Sequence, residues 1–238
     1  MELRSLYREP ERREEIVFGA LEFHDVFRIF RSGAAETVAL RGLELRIEAR
    51  ELVALFGPSG SGKSTALHLA GGLEEPSAGD VRSFGRSLSR LTESELADYR
   101  AREVAIVFQS ANLWPELSAR ENVALGLRLA RRREGIRPTA ERVLDVFDLQ
   151  RREDQRAGSL SGGEQQRVAI AAAAAREAPL VLADEPTAEL DLRNEQVVLT
   201  ALRRLRDEFS STVVVVTHSP RVAEAADRVI EIRDGVAA

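Results

Sequence analysis

Residues 57 to 65 read Gly57-Pro58-Ser59-Gly60-Ser61-Gly62-Lys63-Ser64-Thr65, the G-x-x-x-x-G-K-[ST] spacing of a phosphate-binding loop. The residue types suit an anion. Glycines let the backbone close around a phosphate so that successive N–H groups point inward. A helix N-terminus directly behind them adds partial positive charge. Lys63 has the reach to pair with the β- and γ-phosphates of a nucleotide, and the Ser64 hydroxyl can sit on Mg²⁺. The alternative is a flexible Gly/Ser turn with an exposed lysine, and the flanks argue against it. Leu52-Val53-Ala54-Leu55-Phe56 is an apolar run of strand length, and Ala66-Leu67-His68-Leu69-Ala70 continues as a helix.

Three further places carry polar chemistry at the end of an apolar run. Leu180-Val181-Leu182-Ala183 delivers Asp184-Glu185, adjacent carboxylates that are costly in such a place unless solvated or used on a cation. Asp184 can hold Mg²⁺ through water, and Glu185 can polarise an attacking water. Gln109 follows Val104-Ala105-Ile106-Val107-Phe108, and His218 follows Val213-Val214-Val215-Val216-Thr217. Alone, each is an ordinary polar or structural residue; together they repeat one placement, the C-terminal end of a buried strand, where parallel sheets gather their ligands. Leu160-Ser161-Gly162-Gly163-Glu164-Gln165 opens an alanine-rich helix with bare N–H groups, either a second anion-ready start or a plain N-cap. Phe30 reads equally as a ring that stacks on adenine and as a core aromatic.

The elements that position these residues follow from periodicity. Leu21 to Phe30, a turn at Arg31-Ser32-Gly33, and Val38 to Ile47 predict an antiparallel β-layer ahead of the phosphate loop. Residues 118 to 150 turn helical, with helices expected over 121–133 and 139–149 separated by Gly135 and Pro138. Arg131-Arg132-Arg133 reads as a solvated helix end, with a contact to lipid headgroups as the alternative. Asn194 to Phe209 is amphipathic, and Val229 to Ile232 closes the chain as an edge strand. The expected organisation is a charged tail over residues 1–20 and one α/β nucleotide-binding domain over 21–238. Its core sheet is mainly parallel, and a helical subdomain is inserted at about 90–160.

Composition limits the classes. At 238 residues, 44% apolar and 31% charged, the chain has the make-up of an ordinary globular protein able to bury one good core. It has no cysteine, so disulfides and thiolate metal sites are excluded. A net charge of −5 argues against nucleic acid as a partner. No run approaches the ~18 apolar residues of a membrane span, so a cytoplasmic chain is expected, carried to any membrane by a partner.

In this order, the pieces resemble the nucleotide-binding subunit of an ATP-binding cassette (ABC) transporter, over about residues 20 to 235. By resemblance, residues 57 to 65 are Walker A, Gln109 the Q-loop, 160 to 164 the signature, and 180 to 185 Walker B. Glu189-Leu190-Asp191 is similar to the D-loop, and His218 to the switch histidine. Val-Phe-Gln-Ser-Ala-Asn-Leu and Leu-Ala-Asp-Glu-Pro-Thr resemble the lipoprotein-releasing and macrolide-exporter branch. Two positions depart from the family pattern. The usual stacking tyrosine is Phe30, which keeps the ring and loses the hydroxyl, and Ala172 stands where an arginine is common after the signature.

The resemblance implies an active ATPase with ATP and Mg²⁺ as its ligands, Ser64, Gln109 and Asp184 serving the metal, and Glu185, His218 and Gln109 serving catalysis. It further implies a dimer that sandwiches two ATP molecules, each held by the residue 57–65 loop and Phe30 of one subunit and by Ser161, Gly162, Gly163, Glu164 and Asp191 of the other. A separate membrane permease is the implied partner, placing the chain on the inner face of the cell membrane. In the family the segment after the Q-loop receives a coupling helix, so Leu113, Trp114 and Leu117 are expected to line an exposed groove, the competing reading being plain core packing. The competing readings are a regulatory ATPase that moves a transmembrane protein without cargo, a soluble ABC protein of translation or DNA repair, and a scaffold that binds but does not hydrolyse nucleotide. Intact Glu185 and His218 speak against the last. The soluble proteins resemble tandem cassettes or carry long coiled coils, which this chain lacks.

Overall fold

The computed structural model describes residues 18–33 and 35–238, so most of the charged tail lies outside the described residues. Strands β1 (Leu21–Ser32) and β2 (Ala35–Ile47) pair antiparallel from Leu21↔Ile47 to Ser32↔Ala35. Along β2, Leu43, Leu45 and Ile47 are buried while Glu44 and Arg46 are exposed, the period of two that fixes which face meets the core. After β3 (Leu52–Phe56) and α1 (Lys63–Ala70), β4 (Ala78–Ser83) joins β1 and β5 (Arg86–Ser87) joins β4. The result is an antiparallel sheet ordered β2-β1-β4-β5.

The chain continues through α2 (Glu93–Arg102), β6 (Val104–Val107), α3 (Ala119–Leu129), α4 (Ile136–Val146) and α5 (Gly162–Ala175). It closes with β7 (Leu180–Asp184), α6 (Leu192–Phe209), β8 (Thr212–Thr217), α7 (Pro220–Glu224), β9 (Arg228–Arg233) and β10 (Val236–Ala237). The second sheet is ordered β10-β9-β3-β8-β7-β6; its members are parallel except β10, which runs antiparallel to β9. The 229–232 strand is the last long strand on its side of the sheet, as expected, but the two-residue β10 folds back on its end through a turn at Asp234-Gly235 with φ of 48° and 82°, pairing with Arg233 and Ile232.

Both faces of this sheet are covered, which is why its strands read as unbroken apolar runs. Val181, Ala183, Val213 and Val215 belong to a core shared with α3 to α6. Leu180, Leu182, Val214 and Val216 face the other way, onto α1 and the antiparallel sheet. Helix α5, with Ala171, Ala173, Ala174 and Ala175 buried, packs against α3, α4 and α6. The rings of Phe147 and Phe209 stack 5.9 Å apart, joining the end of α4 to α6.

Helix boundaries differ from the periodic reading because local capping decides them. Ser118 caps α3 in a reciprocal box with Glu121, so the helix begins at Ala119, two residues before Glu121, and ends at Leu129. Pro138 does not separate two helices; it lies in the first turn of α4, where its missing N–H removes no intrahelical bond. The three consecutive arginines follow α3 rather than ending it, with Arg131 paired to Asp98 at 2.6 Å. Among the described residues no helix is long and apolar enough to cross a membrane.

Candidate active site

The phosphate loop joins the end of β3 to α1. Gly62 sits at φ +101°, and a Cβ there would lie 2.5 Å from the Ala39 carbonyl oxygen; at Gly57 a Cβ would lie 2.1 Å from the Ile232 oxygen. Both are close backbone approaches that only glycine permits. No side chain caps α1, so the first N–H groups of the helix are left for a ligand. Lys63 is 5% exposed, and its Nζ donates to the carbonyls of Gly57 (2.9 Å) and Pro58 (2.7 Å). Burial holds its pKa below the ordinary lysine value, against the opposing pull of Glu185 and Asp184.

Ser64 Oγ donates to Asp184 Oδ1 at 3.0 Å, joining the start of α1 to the end of β7. Burial raises the Asp184 carboxyl above its ordinary range, against the hydrogen bond from Ser64. Glu185 turns sharply off the strand at φ 46°, a region few non-glycine residues adopt, pinned by its N–H on the Val216 carbonyl at 3.0 Å. Its Oε1 lies 2.9 Å from His218 Nδ1. A cavity of about 750 Å³ gathers Lys63, Ser64, Gln109, Glu185 and His218 on one side and Thr37, Val38 and Ala39 of β2 on the other. Pro58, Ser59, Gly60, Gly62 and Thr65 complete the loop side; Gly57 and Ser61 stand behind it, Ser61 buried with its N–H on the Pro58 carbonyl at 3.3 Å.

The donor set fits Mg²⁺ in kind. Among the described residues no group of three or more His, Cys, Asp or Glu could hold a metal unaided. A hydroxyl, one carboxylate and a neighbouring amide suit a cation that takes its remaining oxygens from water and phosphate.

Other expected residues lie elsewhere. Phe30 is not a core aromatic: it is 37% exposed, with the Arg28 guanidinium 4.6 Å from the ring centroid. It is opposite Thr37 in the hairpin, beside the cavity rather than in its wall. Ser161 caps α5, its N–H and hydroxyl donating to Glu164 at 2.9 and 3.0 Å, while Arg152 donates to the same carboxylate at 2.9 Å. Gly162 and Gln109 line a second cavity of about 200 Å³, so the signature segment stays apart from the phosphate cavity within one chain. Gly163 is buried at the start of α5. Asp191 caps α6, accepting from the Asn194 N–H at 2.8 Å.

Trp114 is 61% exposed and shares a groove of about 200 Å³ with Ile106, Phe108, Leu113, Leu129 and Ala172, whereas Leu117 is not part of its wall. Asn122, 6% exposed, holds this turn by accepting from the Trp114 N–H and donating to the Trp114, Leu117 and Ser118 carbonyls. Sequence reasoning missed Asn122, the β2 wall and Gln166, whose Nε2 donates to the Phe108 and Gln109 carbonyls. The doubled glutamine after Ser-Gly-Gly-Glu was the one available signal for Gln166.

A family model described as "ABC transporter" matches residues 40–188. The macrolide export ATP-binding/permease protein MacB of Rhodopirellula baltica is 42% identical over 222 residues, covering 92% of this chain and 32% of the relative. The lipoprotein-releasing system ATP-binding protein LolD of Acinetobacter baylyi is 39% identical, covering 91% of this chain and 96% of the relative. Among solved structures, the ATP-binding cassette MJ0796, a dimer in a post-hydrolysis state bound to ADP and Pi, superposes with a TM-score of 0.83. It is 38% identical and covers 91% of this chain and 96% of that one. The chain spans about a third of the length of the MacB relatives it matches.

Proposed function

The chain belongs to the ABC transporter family, and from that premise we propose that it is the ATP-hydrolysing subunit that drives a separate membrane-spanning permease. One observation carries the proposal: Lys63, Glu185 and His218 are assembled around one cavity, while Ser161, Gly162 and Gly163 start a helix that forms no part of its wall. A second cassette, packed head to tail, supplies what each site lacks. ATP then lies between the phosphate loop of one protomer and the signature segment of the other.

Within that sandwich Lys63 leaves the two loop carbonyls for the β- and γ-phosphates. Ser64, Gln109 and Asp184 are the residues that would hold Mg²⁺, which supplies charge neutralisation at the phosphates. Glu185 accepts the proton of the water that attacks the γ-phosphorus, and ADP and phosphate are the products. His218 orients the Glu185 carboxylate. Phe30 stacks beside the base, and Glu164 and Asp191 hold the helices that face the partner's nucleotide. Closure on ATP and opening after phosphate release move the permease, whose coupling segment docks in the Trp114 groove of a helical subdomain at about 90–160. The chain thereby works on the inner face of the cell membrane. Relatives named for macrolide export and lipoprotein release favour transport over a purely regulatory role.

Phosphate release measured against protein concentration tests the shared site. Specific activity that rises with concentration and saturates with dimer formation is the expected result; a rate per chain independent of concentration overturns the sandwich.

A further inference from the structure

Gln109 stands between two cavities, the one that gathers the phosphate-site residues and the smaller one lined by Gly162, Gln165, Pro186 and Glu189. Its main chain is held, because Gln166 donates to the carbonyls of both Phe108 and Gln109. Its side chain makes one hydrogen bond among the described residues: Nε2 donates to Glu189 Oε1 at 3.2 Å. An amide can present either of two ends of opposite polarity, and an ionised carboxylate can only accept. With the NH₂ end turned to Glu189, the carbonyl oxygen is the end left for the phosphate cavity, and an oxygen is what a hard cation takes.

We propose that Glu189 is a positioning residue that fixes the orientation of the Gln109 amide so that its carbonyl oxygen, not its NH₂, serves the metal. The inference rests on reading Gln109 as a Mg²⁺ ligand. Glu189 touches neither phosphate nor metal and acts through Gln109. It lies on the short segment between Glu185 and the Asp191 cap of α6, so the orientation of Gln109 is tied to where that segment sits. Nothing in the G-x-x-x-x-G-K-[ST], signature or strand-end patterns singles Glu189 out for this part.

Calorimetry with adenylyl imidodiphosphate, once with Mg²⁺ and once with EDTA, gives the factor by which metal tightens binding. Glu189→Ala is expected to shrink that factor about three- to tenfold, the scale of one partly solvated hydrogen bond. Affinity in EDTA and melting temperature should stay at wild-type values, since Glu189 is exposed. The double variant Gln109→Ala/Glu189→Ala should match Gln109→Ala alone, because removing the amide removes what Glu189 acts on. A wild-type factor in Glu189→Ala, additive losses in the double variant, or weakened binding in EDTA overturns the proposal while Gln109→Ala still shows a reduced factor. A factor unchanged by Gln109→Ala, or absent from the wild type, removes the Gln109 reading itself and the proposal with it.

Discussion

Nδ1 of His218 lies 2.9 Å from Oε1 of Glu185, so the residues that follow β8 and β7 meet at the wall of the phosphate cavity. A carboxylate oxygen accepts, so the imidazole donates to it from Nδ1. Glu185, already held at a positive φ by the Val216 carbonyl, is thereby fixed at its far end as well. A general base needs that kind of restraint, because its worth depends on a fixed position relative to the water it polarises.

Glu185→Gln therefore keeps the shape and hydrogen-bonding reach of the side chain and loses its basicity. ATP binding should survive, turnover should fall at least about a hundredfold, the usual share of a general base, and the ATP-bound dimer should accumulate. Size-exclusion chromatography with ATP and Mg²⁺ reads this directly. A variant that remains monomeric at saturating ATP, or turns over near the wild-type rate, removes Glu185 from the role.

Phe30→Ala should weaken ATP binding by about five- to a hundredfold, the range of one base–aromatic stack at ~1–3 kcal/mol. Because the ring is exposed, the melting temperature should not move, and Phe30→Trp should bind as well as wild type. Equal affinity for ATP in the alanine variant would show that the base lies elsewhere.

Trp114→Ala should leave melting temperature and ATP affinity of the isolated chain unchanged, since the indole is 61% exposed. Co-purification with the permease should drop, as loss of a tryptophan anchor at an interface typically costs ~2 kcal/mol or more. A melting temperature lower by several degrees would place Trp114 in the fold rather than at the partner's surface.

Glu164→Gln tests the cap of the signature helix through its pH dependence. Burial pushes the Glu164 carboxyl up, but the Ser161 N–H and hydroxyl and the Arg152 guanidinium outweigh it and hold the pKa below the ordinary value of 4.5. The folded chain thus binds this proton less tightly than the unfolded chain. Its contribution is present above the ordinary carboxylate range and is lost as pH falls through the lowered value. The variant should melt about 2–4 °C below wild type at neutral pH, the worth of ~1 kcal/mol of capping. The gap should close in acid; thermal scans at neutral pH and at about pH 3 decide it, and an equal gap at both means the carboxylate charge contributes nothing.

What the sequence by itself determined is the chemistry whose parts lie within a few residues of one another. The loop from Gly57 to Thr65, the Ser161–Glu164 capping box and the Asp184-Glu185 pair are short-range patterns, and short-range physics builds them. Unbroken valine and leucine runs likewise announced strands buried on both faces, hence a mainly parallel sheet. Tertiary structure decided everything that depends on register between distant segments. Phe30 is exposed beside the cavity because pairing in the β1–β2 hairpin places it opposite Thr37, and no local property of a phenylalanine says so. The strand at Arg228–Arg233 is covered only at its end, because two further residues, Val236 and Ala237, fold back on Arg233 and Ile232. Gln109 meets Glu189, and Glu185 meets His218, because β6, β7 and β8 lie side by side in one parallel sheet and end at the same level. Separation of the signature segment from the phosphate cavity is also set only by packing.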